Sequence, residues 1–112
     1  MTGERLPTEL WLKAHMRRLN VEGIPVAVIH RGEATGGTVL LKLNQLELGC
    51  RVLTQARAFD GALGWLAAFQ NQLVAEPEAD AYIARAVKRD PDLWVLEIED
   101  RAGRHPFEGR LL

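Results

Sequence analysis

The chain has 112 residues, of which 47% are hydrophobic and 26% charged. That is enough for one domain with one modest core, and too apolar a mixture for disorder. Lys and Arg number 14 against 15 Asp and Glu, a net charge of −1, so a protein built to grip phosphate backbones is disfavoured, as nucleic acid carries one negative charge at every phosphate. With a single cysteine, Cys50, an internal disulfide framework is excluded; the thiol reads as a small buried group in a strand.

Taken in chain order, Met1 to Arg5 lack an apolar core of signal-peptide length. No run is long enough to cross a bilayer, which points to a soluble protein of the cytoplasm with no membrane partner. A helix is expected from Thr8, a capping residue type, to Gly23, a stop. Its apolar residues fall on two sides. Leu12, Met16 and Leu19 make one; Leu10, Trp11, Ala14 and Val21 make the other. A helix apolar on two sides is packed on two sides. The second side lies under another element or against a second chain, so Leu10, Trp11, Ala14 and Val21 are the candidate interface of a homodimer.

Ile24 to His30 is short, β-branched and almost continuously apolar, as in a strand buried on most sides. A Gly-bearing turn, Gly32 to Gly37, leads to an alternating strand from Thr38 to Asn44, and the two predict a hairpin. Cys50 to Arg57 reads as a third strand, joined through Leu46 to Gly49. Ala62 to Val74 fits two periods. Trp65, Ala67 and Phe69 alternate, while Leu63, Leu66, Phe69 and Leu73 also sit at helical steps; the strand reading is preferred because it completes a meander.

Glu76 to Arg89 carries the marks of a capped helix: Pro77 in the first turn with Glu78 and Asp80, Lys88 and Arg89 at the close, then Asp90-Pro91. Ala79, Tyr82, Ile83, Ala86 and Val87 should face the sheet. Leu93 to Glu99 alternates as a strand, with Trp94, Leu96 and Ile98 inward. A turn through Asp100 to Arg104 follows, and Pro106 to Leu112 offers a short edge strand. The expected class is α+β: an N-terminal helix, an antiparallel sheet of about four to five strands, and a second helix packed on it. A bent sheet of the Sm-like small-barrel kind is the alternative.

Four pieces together resemble domain-of-unknown-function family 1491, small proteins of alphaproteobacteria. They are Glu9-Leu10-Trp11-Leu12, the run Gly37 to Asn44, the run Glu78 to Arg85, and the run Asp90 to Arg101, which is the most specific. The resemblance covers nearly the whole chain. It implies no activity, cofactor or catalytic residue, and it implies a strand-like character for Phe59 to Val74.

Chemistry-bearing residues are few. Glu97 and Glu99, two apart on a strand, leave one face, and the following turn would bring His105 alongside, which makes a candidate metal or polar site. The plainer reading has the acids facing water beside Arg101 and Arg104. The nuclease pattern of an acid followed two residues later by Lys is absent, because position 99 is Glu. Serine is missing altogether, and no acid-base-nucleophile triad is suggested. Gly32 to Gly37 is followed by a strand rather than a helix N-terminus and lacks a Gly-Lys-Thr ending, so it is no phosphate loop. Lys13, Arg17 and Arg18 on the first helix, with Arg85, Lys88 and Arg89 on the second, would form a basic face for RNA only if both helices lay on one side of the sheet. No cofactor is implied. The expected role is a non-catalytic interaction or adaptor domain, a homodimer or the partner of another protein. The alternatives are a small metal-dependent enzyme using the acidic hairpin face and an RNA-binding module.

Overall fold

The computed structural model describes residues 6–112; the expectation drawn from Met1 to Arg5 lies outside them. The elements in order are helix α1 (Thr8–Val21), strands β1 (Val26–His30), β2 (Val39–Asn44), β3 (Cys50–Arg57) and β4 (Leu63–Ala67), helix α2 (Glu76–Arg89), and strands β5 (Trp94–Glu99) and β6 (Arg110–Leu111). The strands form one open sheet in the order β1-β5-β2-β3-β4-β6. It is a mixed sheet of six strands, not the antiparallel one expected, because β5 runs parallel to β2 and β6 parallel to β4. With β1 and β6 at its edges, the sheet does not close into a barrel.

α1 ends as its sequence dictates. Gly23 takes φ 77°, its N–H bonds the Asn20 carbonyl, and the Ile24 N–H bonds the Leu19 carbonyl. This is a Schellman stop, with Leu19 and Ile24 both buried as the motif's apolar pair. Thr8 does not cap its own helix. Its hydroxyl donates to the Gly37 carbonyl at 3.1 Å, tying the helix start to the loop before β2. α2 begins with Pro in its first turn, acids beside it, and Lys88 and Arg89 in the last turn, matching charge to the helix dipole.

The expected hairpin of β1 and β2 is not formed. β5 lies between them, antiparallel to β1 and parallel to β2. The Gly32–Gly37 loop wraps the start of β5 instead. Glu33 N–H bonds the Asp92 carbonyl, Trp94 N–H bonds the Thr38 carbonyl, and the Trp94 indole donates to the Glu33 carbonyl at 2.8 Å. A Cβ at Gly32 or Gly37 would run into the Asp92 carbonyl, so these glycines serve close packing rather than a hairpin turn. β1 is therefore an edge strand. Ala27, Val28 and Ile29 are exposed, where burial on most sides was expected.

The helices cover opposite faces of the sheet. Leu12 and Leu19 of α1 pack with Val39, Leu41, Leu43, Trp94, Leu96 and Ile98. Ala79, Ile83 and Ala86 of α2 pack with Leu40, Cys50, Val52 and Val95, flanked by Tyr82 and Val87. β2 is thus buried along its whole length. The alternating pattern of Ala62 to Val74 is a strand only from Leu63 to Ala67. Phe69, Gln70 and Asn71 then take φ of 55°, 56° and 61°, a left-handed turn, before Val74 bridges to Cys50.

Candidate functional site

The sequence-predicted acidic group does not assemble. Glu97 and Glu99 leave β5 on the α2 face, as the period-2 pattern requires; Glu97 is half-buried and Glu99 exposed. His105 lies on the other face. The chain after the Asp100–Arg104 turn does not fold back as a hairpin but crosses toward β4, where His105 packs beside Trp65 and Phe107 at ring separations of 6.2 and 6.1 Å. The turn itself is held by Asp100, which accepts from the Arg104 backbone and guanidinium. Among the described residues no group of three or more His, Cys, Asp or Glu side chains is placed to hold a metal ion.

A polar centre exists one strand away, on Lys42. This lysine sits mid-strand in β2 with 6% of its side chain exposed, and its ammonium lies 2.7 Å from Glu76, 2.7 Å from Asp80 and 3.6 Å from Glu97. Glu76 and Asp80 are four apart on the first turns of α2, so both carboxylates descend on one side. Asn44 donates to Glu97 at 2.8 Å and accepts from the Leu46 N–H. Burial alone would lower the Lys42 pKa; the hydrogen bonds to Asp80 and Glu76 and the Glu97 charge outweigh it and hold the ammonium above its ordinary value. The Cys50 thiol is buried nearby in β3, and that burial pushes its pKa up, the reverse of an activated nucleophile. Three carboxylates converge on the one ammonium, and Asn44 donates to the third, which fits a clamp of α2 onto the sheet. Sequence reasoning gave Lys42 no role beyond its place in the alternating strand from Thr38 to Asn44. The available signal was a lone Lys inside a strand apolar on both faces, with two acids spaced i, i+4 on a helix.

The candidate interface residues divide. Trp11 turns toward the sheet side and packs on Phe107 and His15 at 5.2 and 5.0 Å. The C-terminal segment is therefore one of the covers that the two-sided helix calls for. Leu10, Ala14 and Val21 remain exposed, Val21 at 82%. Exposed apolar side chains continue into β1, where Val28 is 40% and Ile29 53% exposed. Among the described residues the outer side of β1 has no strand against it, and a bulge between Val28 and His30 interrupts its ladder with β5. His30 ends the strand with Nδ1 at 2.7 Å from the Leu93 carbonyl; a carbonyl only accepts, so this nitrogen carries the proton. The two basic clusters do not merge, since their helices lie on opposite faces. Among the described residues no helix is long and apolar enough to cross a membrane.

A family model described as "Protein of unknown function (DUF1491)" matches residues 6–108. The chain is similar to a DUF1491 family protein from Caulobacter crescentus CB15, whose crystal structure superposes with a TM-score of 0.84 at 38% identity, over 95% of this chain and 99% of that one. An NMR structure of a DUF1491 family protein from the same organism gives 0.82 at 38% identity, over 98% and 100%. The solution structure of a protein from A. tumefaciens shares the fold at 23% identity, with a TM-score of 0.70 over 86% of each chain. No curated protein matches the chain.

Proposed function

Given that the chain belongs to the DUF1491 family, a family of unknown function, we propose that it works as a non-catalytic interaction module that pairs with a second copy of itself through the outer edge of β1. The observation that carries this reading is the apolar, unpaired edge made by Ala27, Val28 and Ile29. An edge strand offers a row of free backbone donors and acceptors to another strand, and natural proteins usually blunt such edges with charge. Here the central residues are apolar, and only Pro25 and the bulge limit the edge, to about one short strand.

The ends of β1 favour an antiparallel partner of the same kind. Glu22 stands before the strand, and the Glu99 N–H bonds the Pro25 carbonyl, so acids gather at the Val26 end. Arg31, exposed, stands at the other end. A two-fold axis near Val28 sets each Arg31 toward the partner's acids, whereas a parallel pairing would stack like charges. Light scattering coupled to size exclusion tests the reading. The wild type is expected to run as a dimer and an Ile29→Lys variant as a folded monomer. A monomeric wild type, or a dimer that ignores the lysine, would refute it.

A further inference from the structure

A cavity lies away from β1, at the opposite half of the sheet. About 640 Å³ in volume, it opens between the start of α1 and the far ends of β3 and β4, over the Thr35–Thr38 loop. That volume falls within the range of small-molecule sites. Its walls are apolar, from Leu6, Trp11, Ala56 and Leu63. Its polar side chains are the hydroxyls of Thr8, Thr35 and Thr38, the Gln55 amide and the Arg57 guanidinium. Gln55 uses Oε1 to accept the Val39 N–H at 3.2 Å, so its amide nitrogen is left as a donor. Arg57 gives one Nη to the Gly61 carbonyl at 3.0 Å and keeps its other donors. Among the described residues Arg57 is also the only ionised one in the lining. At the helix start the Thr8 and Glu9 N–H groups already bond the Thr35 and Ala34 carbonyls.

We infer that this groove binds a small apolar carboxylic acid, its aliphatic or aromatic body against Trp11 and Leu63 and its carboxylate on Arg57 and Gln55. A groove with apolar walls, hydroxyls at the loop, and its charge on Arg57 two residues along the strand from the Gln55 amide is complemented by an amphiphile with an anionic end. The inference stands apart from self-association, since β5 and β2 separate β1 from β3.

The probe is sodium octanoate, titrated into the ¹⁵N-labelled full chain, with octanol and octyltrimethylammonium as controls. Octanoate is expected to shift the Trp11 indole N–H and the Gln55 side-chain amide saturably, and the cation is expected to leave both unmoved. Arg57→Gln should weaken binding by about ten-fold, the worth of one charge-assisted hydrogen bond. Leu6→Asp, at an exposed position, should weaken it at least as much. Absence of a saturable shift, equal response to the cation, or unchanged affinity in both variants would overturn the assignment.

Discussion

His15 and His105 flank Phe107, with His15 4.6 Å from that ring, and Nδ1 of each is buried without a hydrogen-bond partner. Burial lowers both pKa values below the usual 6.5; for His15 the Arg18 charge lowers it further and Glu108 opposes. A base with a depressed folded-state pKa takes up its proton more readily in the unfolded chain. The stabilisation is therefore whole above pH 6.5 and declines as pH falls through and below it. The melting temperature should drop between neutral and mildly acidic pH, and His15→Gln with His105→Gln should flatten that slope. Calorimetry at stepped pH checks this, and equal slopes would contradict it. Lys42 behaves differently. Its raised pKa keeps its contribution intact below the ordinary lysine value of 10.5, so it adds no slope near neutrality. Glu76 and Asp80 are about half exposed, so they can turn to water if the lysine is lost. Lys42→Met is expected to cost about 1–2 kcal/mol, less than the 3–5 of breaking a fully buried pair. Urea unfolding measures it; no loss would mean that the clamp is idle.

At the scale of elements, the helices and most strands were legible. The first-turn Pro77 and the dipole-matched charges of Glu76 to Arg89 bound α2 as read, although no side chain caps its N-terminus, and Cys50–Arg57 is a strand from end to end. What could not be read was pairing. Gly32–Gly37 looks like a hairpin turn because local patterns say nothing of the Asp92 carbonyl that closes on those glycines from sixty residues away. For the same reason β1, apolar enough for a central strand, sits at an edge: β5 takes the place beside β2. The metal group failed on geometry beyond the turn. The strand period placed Glu97 and Glu99 correctly, but the chain leaves Asp100 for the far edge and carries His105 with it. The left-handed turn Phe69–Asn71 left no trace either, having no glycine. Its strain, about 1–2 kcal/mol per residue, is offset by Phe69 packing on Tyr82 at 5.3 Å and by Arg51 bonding the Asn71 carbonyl at 3.0 Å. Gln70 is exposed, so Gln70→Gly should relieve strain without losing packing and stabilise by about 0.5–1 kcal/mol. Thermal melts of the variant decide it, and a lower melting point would mean that the side chain is needed.

For the whole molecule, the two helices on opposite faces leave the sheet accessible mainly at its edges. One edge, β6, is a strand of two residues, a short form that resists further pairing. The other, β1, presents apolar side chains and an open backbone edge. In the proposed dimer this asymmetry sets the direction of growth: a second copy would add at β1 and extend the sheet across a two-fold axis. An antiparallel two-fold pairing would use up the β1 edge of both chains, so association should stop at two chains rather than proceed to fibres. Amide hydrogen exchange followed against protein concentration tests this most directly. Protection at Val26 to Ile29 should rise as concentration rises, while Arg110 and Leu111 stay as they are. Exchange in β1 that does not change with concentration would contradict the account.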